Sequence, residues 1–88
     1  MTVKIQDVSG GGSPFVEICQ SKPPYSTVVI ICKNNIVHSF CTEEDSYKYA
    51  TPITEDTTIF LGVKSIDFSI SSGRRIIPNN SIIEIIVN

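Results

Sequence analysis

Thirty of the 88 residues are β-branched: 15 Ile, 8 Val and 7 Thr. Branching at Cβ stiffens χ1 and suits a side chain to a pleated surface better than to a helix. The strong helix formers Ala, Leu and Met occur once each, as Ala50, Leu61 and Met1. This balance excludes a helical bundle or a coiled coil and predicts an all-β chain. A chain of this mass hides roughly 64% of its unfolded surface on folding, enough for one core. Residues 1–88 are therefore read as a single all-β domain.

Net charge narrows the partners. Seven Lys and Arg against nine Asp and Glu give −2. The one adjacent basic pair is Arg74-Arg75, and the five lysines are scattered. A phosphate-binding surface needs a basic stripe, so nucleic acid is not an expected partner. The longest unbroken apolar run, Val28 to Cys32, has five residues, far short of a membrane span, and the first twelve residues lack the apolar stretch of a signal peptide. The expectation is synthesis in a cytoplasm without membrane insertion. Cys19, Cys32 and Cys41 are an odd number, which predicts three reduced thiols, at least two of them in the core, rather than a disulfide framework.

Turn residues divide the chain into seven to eight short strands. Val3, Ile5 and Val8 begin a strand that ends in a flexible glycine loop at residues 9–14. Phe15-Val16-Glu17-Ile18-Cys19 reads as a second short strand, closed by Pro23-Pro24. Thr27–Cys32 and Ile36–Cys41 read as a hairpin about Asn34-Asn35, since Asn tolerates the positive φ of a tight primed turn. That register pairs Cys32 with Val37, Ile31 with His38 and Val29 with Phe40. Tyr47 and Tyr49 share a face of the next strand, Pro52 ends it, and Thr54-Glu55-Asp56 turns the chain. Ile59, Leu61 and Val63 point inward, with a turn near Lys64-Ser65 before Ile66, Phe68 and Ile70. Ser71 to Arg75 reads as a loop, Pro78 to Ser81 as a turn and Ile82 to Val87 as the last strand. No segment reads as a helix. Turns at roughly ten-residue intervals predict an antiparallel β-sandwich or small barrel. Ile30, Ile59, Leu61, Phe68 and Ile85 are the expected core.

The stretch from Tyr47 to Leu61, with its Thr51-Pro52-Ile53 step and its Glu55-Asp56-Thr57-Thr58 turn, resembles the middle of small bacterial and phage Ig-like domains. The closing Pro78-Asn79-Asn80-Ser81-Ile82-Ile83-Glu84-Ile85 is similar to their last turn and strand. The chain has no Trp, so the core Trp of antibody-type domains is missing. The resemblance implies an Ig-like sandwich acting as a non-enzymatic structural protein of a phage virion: a capsid decoration, head fibre or tail accessory. The alternative it implies is an Ig-like surface-adhesion or carbohydrate-binding module.

The chemical constellations are weak. Cys19, Cys32, His38 and Cys41 lack the short knuckle spacing of a structural zinc site, and one His near one Cys lacks an orienting third group. Glu43-Glu44 and Glu55-Asp56 lie in turns, where acidic residues favour solvent. No catalytic, cofactor or metal residue is assigned. The expected partner is protein: a larger shell or fibre protein, together with homo-oligomerisation. Both Val28–Cys32 and Ile82–Val87 are apolar on both faces, more than two layers can cover within 88 residues. Tyr and Arg are enriched at interface centres. Tyr47, Tyr49, Arg74 and Arg75 are therefore candidate interface residues, joined by Phe15 and Tyr25 beside the glycine and proline loops.

Overall fold

The computed structural model describes residues 2–21, 23–42, 50–70 and 73–88. Among these residues eight strands form, in chain order: β1 (Lys4–Asp7), β2 (Thr27–Cys32), β3 (Val37–Cys41), β4 (Thr51–Pro52), β5 (Thr58–Leu61), β6 (Ser65–Ile70), β7 (Gly73–Pro78) and β8 (Ile82–Val87). They make two four-stranded sheets, ordered β1-β5-β6-β7 and β4-β3-β2-β8. The all-β sandwich is as expected, but the sheets are mixed rather than purely antiparallel. β1 runs parallel to β5, and β4 runs parallel to β3. Parallel neighbours need long connections. The excursion through β2, β3 and β4 supplies one between β1 and β5.

The side chains that face each other between the sheets alternate along each strand. Val28, Ile30, Cys32, Phe40 and Ile85 from one sheet meet Ile59, Leu61, Ile66, Phe68 and Ile77 from the other, each at most 4% exposed. All five expected core residues lie in this cluster. Phe40 and Phe68 stack across the sheets with ring centroids 3.9 Å apart.

Several local expectations are corrected. Residues 16–20 form a helix, α1 (Val16–Gln20), not a strand. A strand would have put Glu17 on the same face as Phe15 and Cys19. The helix instead turns Phe15, Val16 and Cys19 to the core and leaves Glu17 and Ile18 in solvent, the one-sided spacing of a short amphipathic turn. α1 packs beside β1 and β8.

The β2–β3 hairpin is shifted by one residue from the expected register. Val28 pairs with Phe40, Val29 with Ser39, Ile30 with His38 and Ile31 with Val37. The Cys32 N–H donates to the Ile36 carbonyl at 2.7 Å, so Lys33 joins Asn34 and Asn35 in a three-residue loop. Both asparagines take positive φ, 64° and 63°. The shift gathers Val28, Ile30, Cys32 and Phe40 on one face, where the two-residue loop would have separated Phe40 from the rest.

Arg74 and Arg75 lie on β7, not in a loop. Their backbones pair with Ser69 and Phe68 of β6. At the other end of β6, the Gly62 N–H donates to the Ser65 carbonyl at 2.9 Å, so the expected turn is a two-residue hairpin loop of Val63 and Lys64. Val63 is 61% exposed at its tip rather than inward. Asn79 holds this loop: its amide Nδ2 donates to the Gly62 and Val63 carbonyls, both at 3.1 Å, and its N–H donates to the Lys64 carbonyl at 2.8 Å.

The loop at residues 9–14 is tied to β1. Asp7 accepts hydrogen bonds from the Ser9 N–H at 2.8 Å, the Ser9 hydroxyl and the Gly11 N–H at 3.0 Å. Those bonds hold its carboxyl below the usual carboxylate range, the Ser9 hydroxyl contributing most. Gly10 and Gly11 take φ of 64° and 90°, conformations that glycine adopts without strain. Ser13 is buried, and its N–H donates to the Ser9 hydroxyl at 2.8 Å. The loop at the glycine run is thus held by hydrogen bonds from Ser9, Gly11 and Ser13.

Candidate interaction surface

The six candidate interface residues do not form one patch. Tyr47 and Tyr49 lie outside the described residues. Tyr25 is 3% exposed; its ring is in the core and its hydroxyl donates to the Ile18 carbonyl at 3.4 Å. Pro23 and Pro24 mark a turn in the sequence but do not bring Tyr25 to the surface. Phe15 is half-buried against the core, just before α1.

Arg74 and Arg75 remain at the surface, and strand alternation sends them to opposite faces of β7. Arg74 pairs with Asp67 of β6 at 2.5 Å, and Asp67 also accepts from the Ser65 hydroxyl at 3.1 Å. Arg75 lies with its guanidinium carbon 5.6 Å from the Phe40 ring centroid, a cation–π distance. Its Nη1 reaches the His38 Nδ1 at 3.5 Å. An Arg can only donate, so this contact favours the tautomer with the proton on Nε2. Partial burial, and then the Arg75 charge, hold the His38 pKa below its ordinary value.

Next to this group, a surface groove of about 390 Å³ runs between the β2–β3 loop and β7, floored by Cys32 and Ile77 and flanked by Lys33, Ile36, His38 and Ile76. It holds one imidazole and no carboxylate. Among the described residues, no three His, Cys, Asp or Glu side chains cluster closely enough to hold a metal ion. The three cysteines are buried thiols, and burial pushes the Cys19 thiol up to about 11. Such a group carries little thiolate near neutrality and is a poor nucleophile.

The apolar excess lies elsewhere. On the outer face of the β4-β3-β2-β8 sheet, the register places Val29 beside Ile86 and Ile31 beside Val37. Val37 is 53% exposed and Ile86 38%. Ile83, set out of register where the β2–β8 ladder shifts, is 66% exposed. The double-sided apolar pattern of Val28–Cys32 and Ile82–Val87 was the signal for this face. The sequence could not say which members would lie outside, because that depended on the hairpin register.

The backbone pattern adds a second feature. Thr27 and Asn88 exchange N–H to carbonyl bonds at 3.0 and 3.1 Å. In an antiparallel ladder such pairs alternate, so Ile86 and Glu84 also bond to β2 while Ile85 and Val87 turn their N–H and C=O groups away from it. β8 is the last strand of its sheet, and those groups face its outer edge. A groove of about 320 Å³ runs along that edge, between Ile85, Ile86 and Val87 on one side and Ile18, Ser21 and Tyr25 on the other. No helix among the described residues is long and apolar enough to cross a membrane. Comparison with family models, curated proteins and solved structures finds no match for the chain.

Proposed function

We propose that this chain is a non-enzymatic structural protein that works in contact with other protein, as a capsid decoration, head fibre or tail accessory of a phage virion. The observation that carries the assembly part is the exposure of Val37 and Ile86 on the outer face of the β4-β3-β2-β8 sheet, with Ile83 also exposed on β8. Covering such a surface with protein removes it from water, and an apolar face left bare favours uncontrolled association. Among the described residues, the two grooves beside His38 and along β8 hold no clustered acid, base and nucleophile that would favour catalysis. The virion assignment rests on the Ig-like resemblance of residues 47–61 and 78–85. The test is mass spectrometry of purified particles from cells that make the protein, together with the genes beside its own. The expected result is the chain at fixed stoichiometry in particles, encoded near capsid and portal genes. A chain confined to the particle-free supernatant would overturn the reading.

A further inference from the structure

The four outer strands of the two sheets are not equally guarded. β4 has two residues, one of them Pro52, and β1 has four, including Lys4 and Asp7. β7 has six, with Arg74, Arg75 and Pro78. The Asn79–Lys64 backbone bond sets the β6–β7 alternation, so position 78 faces the open edge, where proline offers no N–H. Short length, charge and proline are the devices that stop an edge from pairing. β8 has six residues, five of them apolar, no proline and one charge, Glu84. Along its edge the N–H and C=O groups of Ile85 and Val87 point outward, and no hydrogen bond among the described residues reaches them from α1.

We propose that β8 pairs with β8 of a second copy of this chain, antiparallel about a twofold axis, joining two four-stranded sheets into one of eight strands. The proposal deepens the assembly reading above. A twofold perpendicular to the sheet keeps outer faces together, so it must pass through a residue position, and the charge selects which one. Centring on Glu84 would set two carboxylates opposite each other, which is destabilising. Centring on Ile85 sets Glu84 against an apolar Ile86. Centring on Ile86 sets Ile86 against its own copy in the close, non-hydrogen-bonded position, and sets Glu84 against Asn88, whose amide can donate to the carboxylate. In that register Ile85 and Val87 exchange both backbone bonds with Val87 and Ile85 of the other copy, four in all. The outer apolar strip of Val29, Ile31, Val37 and Ile86 becomes continuous across the axis. A formal charge of only −2 per chain leaves little repulsion between copies, and an isologous pair of this kind closes without forming fibres.

The test is the mass of the full chain by light scattering over a range of concentrations, combined with residue-resolved amide exchange. The expected result is a species of twice 9.7 kDa whose Ile85 and Val87 amides become protected as concentration rises, while those of Arg74 and Ile76 stay fast. Ile86→Lys sets two lysines face to face, and Val87→Pro removes an edge donor that β2 does not use. Each should yield a monomer with native circular dichroism at concentrations where the parent chain is paired. Should one variant fail to fold, the concentration-dependent protection in the parent chain still decides. A parent chain that stays monomeric, a dimer that survives both substitutions, or protection at β7 instead of β8 would each overturn the proposal. A monomer found in particles would remove the self-pairing alone, and a dimer absent from particles would remove the virion reading alone.

Discussion

Phe40 of β3 and Phe68 of β6 stack face to face, ring centroids 3.9 Å apart and planes 21° from parallel, and Arg75 closes over the Phe40 ring from the rim. This stacked pair joins the two sheets within a core that is mostly aliphatic, with Tyr25, Cys19 and Cys32 also buried in it. Both rings are at most 2% exposed, so neither site can refill with water or collapse easily.

Phe40→Ala and Phe68→Ala are each expected to cost about 3–5 kcal/mol, and Ile30→Ala, Ile59→Ala, Leu61→Ala or Ile85→Ala about 2–5 kcal/mol, through the cavity each leaves. Urea denaturation measures this directly. A loss below about 1 kcal/mol at most of these positions would contradict the burial described.

The β2–β3 loop sets a backbone test. Asn34 and Asn35 hold φ near 64° and 63°, a region that costs most residues roughly 1–2 kcal/mol. Asn35→Val should destabilise by about that amount or more, whereas Asn35→Gly should be close to neutral. Equal midpoints for the two variants would show that the loop is free to relax.

The thiols should respond to unfolding. Native protein is expected to react slowly with a disulfide reagent and denatured, never-reduced protein to titrate three groups. A count of one would show a disulfide. Because burial raises the Cys19 pKa from 9.0 to about 11, the folded state holds its proton more tightly there than the unfolded state. Its contribution to stability is complete below pH 9 and is lost as pH rises from 9 toward 11. Cys19→Ser should flatten that part of the pH profile.

His38 works in the opposite sense. Its pKa is lowered from 6.5 by partial burial and then by Arg75, so below pH 6.5 the unfolded state binds the proton more readily. Stability should be level above pH 6.5 and fall as pH drops through the folded pKa. Arg75→Ala should raise the His38 pKa in an NMR titration, and an unchanged value would assign the shift to burial alone.

The all-β class and the five core residues Ile30, Ile59, Leu61, Phe68 and Ile85 followed from composition and local alternation. Side-chain branching and period-two burial act within a few residues of the chain. The turns at Thr54–Thr57 and Asn79–Ser81 were legible for the same reason: the Thr57 hydroxyl accepts from the Thr54 N–H and the Ser81 hydroxyl donates to the Pro78 carbonyl, each three residues away. The interface candidates were less legible. Tyr25 and Arg75 are both large and amphipathic, and only the packed sheets decide that one fills the core while the other covers its rim.

Tertiary packing also chose the hairpin register and the helix. Asn34-Asn35 satisfies a two-residue loop as well as the three-residue one, and the difference is that only the latter puts Phe40 on the face of Ile30 and against Phe68. Residues 15–19 suit a strand by composition, yet Glu17 would then be turned inward without a partner, so the chain coils and keeps it in water. Local sequence thus determined what kind of element most segments form. Which face of each element is buried depended on contacts between residues far apart in the chain, because a one-residue slip costs little locally and exchanges every inward side chain for an outward one.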